Sequence, residues 1–162
     1  MNSGRVPNVL GPGAGEALWS FGTLTAVKAT ASDTGGRFAI IEDLAPRGAG
    51  TPLHLHREDD ESFYVLEGEV AFALGADPLI RATAGSFIHI PGGVVHAFRV
   101  ESATARYLIN TTPRHERFYR AISEPALHPG PPPESPLDME KVEAACQEYG
   151  VELIGPWPED CG

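Results

Sequence analysis

Between Trp19 and Thr112 the chain breaks into short runs rich in β-branched and aromatic residues, and that rhythm restricts the fold more than any other feature. The runs are LTAVKAT (24–30), RFAIIEDL (37–44), SFYVL (62–66), EVAFAL (69–74), SFIHI (86–90), VVHAFRV (94–100) and ARYLIN (105–110). Gly, Pro, Asp or Ser separates them, as expected of strands joined by turns. The 162 residues include 18 Gly and 15 Pro, which favours many turns over long helices. Glu67-Gly68 reads as a tight hairpin turn, with the glycine supplying a positive φ. Many short strands at this spacing predict an all-β sandwich or barrel. No internal repeat is apparent, so one barrel is expected over residues 19–112. Residues 1–18 are rich in Gly and Pro, lack periodicity, and read as an arm.

The character changes after Thr112. ERFYRAI (116–122) suits one or two helical turns, and EPALHPGPPPESP (124–136) reads as an extended Pro-rich linker. A C-terminal helix follows, with Ser135 as N-cap, Pro136 at the first helical position and Asp138 closing a box-like pattern. Met139, Val142, Cys146 and Tyr149 recur at helical spacing, and Gly150 marks the stop. Residues 113–162 are therefore expected to form a linker and a helix packed on the barrel or on a partner.

The formal net charge of −10 and the lack of any Lys/Arg cluster argue against nucleic acid and against anionic membrane as partners. No apolar run reaches the roughly 18 residues that a spanning helix needs. The N-terminus has no apolar secretory core, so a cytoplasmic setting is expected. Cys146 and Cys161 stand in no CxxC or zinc-finger spacing and read as two free thiols.

The chemistry concentrates in two stretches. In the first, Gly48-AGTPL-His54-Leu55-His56-REDD-Glu61, strand alternation points His54 and His56 the same way, about 6.6 Å apart along the strand. Two imidazoles at that separation can converge on one ion with bonds near 2.1 Å. Glu61 opens the next strand and can return a carboxylate oxygen to the pair. In the second, Gly85-SFIHI-Pro91-Gly92-Gly93-VV-His96, a tight turn fixes the direction of His96. Three imidazoles and one carboxylate leave positions open on a divalent transition metal, and Fe, Mn, Ni, Co, Cu and Zn all suit the set.

These stretches resemble the paired motifs of the cupin superfamily, G-x5-HxH-x4-E-x6-G and G-x5-P-x-G-x2-H-x3-N. Every position of the first matches from Gly48 to Gly68; in the second Gly85, Pro91, Gly93 and His96 match, and Val100 replaces the closing Asn. Residues 69–84 between them fit the family's short spacer. The resemblance implies a double-stranded β-helix, or jelly-roll barrel, with His54, His56, Glu61 and His96 as metal ligands. The pattern Thr112-Pro113, Glu116, Phe118-Tyr119, then a Pro-rich linker, a helix and YGVELIGP is similar to bacterial single-domain cupins grouped with quercetin 2,3-dioxygenases. That likeness implies a dioxygenase acting on a small organic, flavonol-like substrate, with Glu61 doubling as base. The same ligand set serves a non-redox isomerase, lyase or polyketide-cyclase-like enzyme, or a binding protein without turnover. Members of the family commonly pair, so a homodimer is expected, with the arm and the terminal helix free to cross over.

Phe63, Phe72, Phe87 and Phe98 are candidates for pocket walls, and His89 for a further inward-facing contact. Tyr64 alternates away from Phe63 and should lie outside. Arg57-Glu58-Asp59-Asp60 reads as a solvated loop. His115 and His128 read as ordinary residues of a polar turn and of the linker.

Overall fold

A computed structural model of the chain describes residues 5–159, so Cys161 lies outside the described residues. The elements are β1 (Glu16–Ser20), β2 (Thr23–Ala29), α1 (Ala31–Thr34), β3 (Ala39–Pro46), β4 (Leu53–His56), β5 (Glu61–Glu67), β6 (Glu69–Leu74), β7 (Ile80–Thr83), β8 (Phe87–Ile90), β9 (His96–Val100), β10 (Thr104–Thr111), α2 (Pro113–Ile122), β11 (Glu124–Pro125), α3 (Met139–Tyr149) and β12 (Val151–Gly155). Two antiparallel sheets face each other, one in the order β11-β1-β2-β3-β10-β5-β8 and one in the order β12-β4-β9-β6-β7. This is the expected all-β jelly-roll architecture, with helix added at the C-terminal side.

Alternation along the strands builds the interior. On β5, Glu61, Phe63 and Val65 are buried while Tyr64 is 45% exposed, so Tyr64 lies outside as expected. On β9, His96, Phe98 and Val100 take the same inward parity, with Arg99 outside. Phe63, Phe72, Phe98 and Tyr107 meet edge to face or tilted, with centroids 5.1 Å apart for Phe63–Phe72 and for Phe63–Phe98 and 5.6 Å for Phe98–Tyr107. That geometry suits the ring quadrupoles. Gly68 turns β5 into β6 with φ +83°, and a Cβ there would meet the Thr104 carbonyl oxygen at 2.4 Å.

Three boundaries differ from expectation. The first strand begins at Glu16, inside the arm, because Glu16–Ser20 pairs in register with Thr23–Val27. The last helix starts at Met139 rather than Pro136: Asp138, not Ser135, is the N-cap, and its carboxylate accepts from the Lys141 backbone N–H at 3.2 Å. The helix buries Val142, Ala145 and Cys146 and ends at Gly150 in the left-handed conformation, while Met139 stays half exposed. After it the chain forms a strand, β12, which pairs with β4 as Val151↔His56 and Leu153↔His54. This pairing satisfies backbone groups on the edge of β4 that does not face β9.

Helix α2 is longer than the expected turn or two. Thr112 caps it, its hydroxyl accepting from the His115 N–H at 3.1 Å, and Pro113 occupies the first helical position. Its buried residues are His115, Glu116, Phe118 and Tyr119. His115 and Tyr119, four apart, share one face of the helix.

Candidate metal centre

Strand pairing brings the two motif stretches together. His54 on β4 stands opposite His96 on β9. Glu61 opens β5 and lies against the same strand ends, next to Ile90 of β8 and Thr111 of β10 in register. Gly93, at φ +87°, donates its N–H to the His56 carbonyl oxygen at 2.9 Å, so the Pro-Gly-Gly turn is fastened to β4 before His96. One ligand atom each from His54, His56, Glu61 and His96 lies within 4.8 Å of the others, and all four residues are buried. Bonds of about 2.1 Å put donors on opposite sides of an ion about 4.2 Å apart, so the spread is close to what one ion needs.

Backbone carbonyls orient the rings. His54 Nδ1 lies 2.9 Å from the Pro52 oxygen, His56 Nδ1 2.6 Å from the Asp59 oxygen and His96 Nδ1 2.9 Å from the Val94 oxygen. A carbonyl only accepts, so each Nδ1 carries a proton and each ring turns its Nε2 inward. His56 Nε2 and His96 Nε2 stand 3.2 Å and 3.3 Å from Glu61 Oε2. This is the arrangement in which a metal-binding histidine has its tautomer fixed from behind.

The electrostatics match the donor set. Burial, with the nearby His96, pushes His54 down to about 3, which keeps the ring neutral and able to coordinate. Burial also opposes charge on His56, but the hydrogen bond and charge of Glu61 outweigh it and raise that ring. Burial alone would raise Glu61, yet the surrounding imidazoles of His115, His56 and His96 hold it well below the usual carboxylate range. The centre therefore has an ionised carboxylate among imidazoles, a donor set that could hold a divalent cation in place of protons.

The structure places the other candidates elsewhere. Phe63, Phe72 and Phe98 belong to the apolar core and do not line the large cavity. Phe87 is 65% exposed, and His89 is exposed with Nδ1 2.8 Å from Ser62 Oγ. Both expectations are corrected by parity: Ile88 and Ile90 take the inner face of β8, which sends Phe87 and His89 outward. Asp59, read as part of a solvated loop, is buried; its carboxylate accepts from Thr112 Oγ1 at 2.5 Å.

His115 is the main residue that sequence reasoning missed. It is 2% exposed, its ring centroid is 4.2 Å from that of His56, and its Nε2 is 3.7 Å from Glu61 Oε1. Tyr119, one turn on, donates its hydroxyl to the same oxygen at 3.4 Å. The signal was present in Thr112-Pro113 as a helix start, with His115 and Tyr119 four apart behind it.

A cavity of about 620 Å³ opens between the sheet edges, bounded by Trp19, Phe118, Ile122, Leu153 and the Pro132–Met139 segment. Of the four clustered residues, His54 lines it.

Residues 40–110 match the family model described as a cupin domain. Over 123 residues the chain is 30% identical to quercetin 2,3-dioxygenase of Bacillus subtilis (strain 168), covering 75% of this chain and 36% of that protein. The chain thus spans about a third of that relative's length. Among solved structures, the polyketide cyclase RemF from Streptomyces resistomycificus superposes with a TM-score of 0.58 at 23% identity, over 67% of this chain and 80% of that one. An RmlC-like cupin from Shewanella frigidimarina NCIMB 400 also gives 0.58, at 18% identity over 70% and 97%. These last two likenesses are in fold. No helix among the described residues is long and apolar enough to cross a membrane.

Proposed function

The chain belongs to the cupin superfamily, and on that premise we propose that it is a metal-dependent dioxygenase acting on a small aromatic, flavonol-like molecule. One observation carries the reading: three inward Nε2 atoms and one ionised carboxylate gather in a buried cluster beside an apolar cavity. His54, His56, Glu61 and His96 would hold a single divalent transition-metal ion. When bound, the ion supplies Lewis acidity and, where redox-active, a path for electrons to O₂. The chain's own residues do the rest. The cavity walls exclude water and favour a flat apolar body, and His54 at its inner end marks where the substrate meets the centre. Glu61, kept ionised among its neighbours, takes the proton of a substrate hydroxyl as it approaches.

The test is turnover of a panel of flavonols and related enols by metal-loaded protein with and without O₂. Oxygen-dependent loss of the substrate's long-wavelength absorption is expected. Equal turnover under argon would overturn the dioxygenase reading in favour of a non-redox isomerase, lyase or cyclase. In the proposed setting the protein is a cytoplasmic homodimer without nucleic-acid or membrane partners. A light-scattering mass near the single-chain 17.3 kDa would refute the dimer.

A further inference from the structure

Glu61 uses its two oxygens differently. Oε2 faces His56 and His96, whereas Oε1 faces away from them toward helix α2. There it meets the Tyr119 hydroxyl at 3.4 Å and His115 Nε2 at 3.7 Å. His115 Nδ1 is buried with no hydrogen-bond partner among the described residues. A bare acceptor nitrogen is cheaper to bury than an unmet N–H that has an acceptor available on its other side. His115 therefore carries its proton on Nε2, aimed at Oε1. Two donors, one turn apart on one helix, converge on one carboxylate oxygen.

The helix itself is fixed to the ligand loop. Thr112 Oγ1 donates to Asp59 Oδ1 at 2.5 Å and Thr111 Oγ1 donates to the Asp60 carbonyl at 2.9 Å. The Asp59 carbonyl is the acceptor for His56 Nδ1. The position of α2, the orientation of one ligand ring and the rotation of the ligand carboxylate are thus set by one connected group of residues.

Resting on the metal-centre reading above, we propose that Tyr119 and His115 are positioning residues that clasp Glu61 Oε1 and hold the carboxylate to one-oxygen ligation. A carboxylate can bind an ion through one oxygen or both. An ion with three imidazoles and one oxygen keeps one or two positions free for substrate and O₂; a second carboxylate oxygen removes one of them. The clasp keeps that position open.

The experiment uses the full chain loaded with Co(II), whose visible absorption weakens as coordination number rises, and needs no substrate. Wild type, Tyr119→Phe, and Tyr119→Phe with His115→Leu are compared for stoichiometry and spectrum. All three are expected to bind one Co(II) per chain. The band should lose intensity in Tyr119→Phe and lose more in the double variant, as Oε1 swings onto the ion. His115→Gln, which keeps a donor, should retain more of the band than His115→Leu. Unchanged spectra in all variants overturn the clasp. Failure of wild type to bind Co(II) overturns the underlying metal-centre reading instead. If the double variant does not fold, Tyr119→Phe decides alone, because it removes only a hydroxyl from a ring that stays packed.

Discussion

The barrel interior has two ends, and one buried carboxyl in each shows how they differ. Asp43 and Glu61 are both almost fully buried. Asp43 lies beside Thr25 and Tyr107 in register, next to the aromatic cluster; burial pushes it up to about 7, against the hydrogen bond that Thr25 Oγ1 donates at 2.6 Å. Glu61 is held well below its ordinary range because the imidazoles of His115, His56 and His96 surround its charged form. The same strands carry both ends: Glu61 precedes Phe63 and Val65 on β5, and His96 precedes Phe98 and Val100 on β9. Burial alone therefore does not decide whether a carboxyl ionises. The Asp43 end disfavours charge, and the proposed ligand end concentrates donors around one.

The largest expected effect falls on the ligand end. Disturbing groups that merely support metal ligands costs about 10–100-fold in affinity, so His56→Ala or His96→Ala should cost about a hundredfold or more. Competition titration with a metal indicator checks this, and the metal-free fold should persist. The Asp43 end should show the converse. Phe63→Ala removes a fully buried ring and should cost about 3–5 kcal/mol in denaturant unfolding. Its surviving folded fraction should still bind one ion; loss of binding there would break the division between the ends.

Asp43→Asn gives a smaller, pH-dependent effect. The folded state keeps the Asp43 proton up to about pH 7, while the unfolded chain releases it near 3.8. Folded-state stability from this group is full below the lower value and is lost as pH rises through the higher one. The asparagine variant should therefore gain on wild type between pH 4 and 8 in chemical denaturation. A constant difference across that range would place Asp43 in a wetter site than its burial suggests. The smallest effect is expected for Thr112→Ala, about 1 kcal/mol for a lost helix cap. It should also lower metal affinity slightly, since the Asp59 side chain that Thr112 holds belongs to the residue that orients His56.

The two ends were unequally legible in the sequence. The cluster of proposed ligands is readable because the placement of His54, His56, Glu61 and His96 depends on short-range spacing, strand alternation and a Pro-Gly-Gly turn. Phe87 and His89 face outward against expectation because parity on a four-residue edge strand is set by its partners. Ile88 and Ile90 compete for the interior as well as Phe87 and His89 do, and only pairing with β5 decides. His115 and Tyr119 reach Glu61 across more than fifty residues of chain, through the docking of α2, which local pattern does not encode. Likewise β12 forms because β4 leaves an edge open, a fact about the sheet and not about YGVELIGP.

His54, His56, Glu61 and His96 are proposed to hold one divalent ion. Native mass spectrometry of protein purified without added metal, then titrated anaerobically with Fe(II), Co(II) and Zn(II), tests it most directly. One ion per chain in wild type, and none in a folded His56→Ala/His96→Ala variant, is the predicted result. A wild-type chain that stays metal-free, or a double variant that binds as well as wild type, would contradict it.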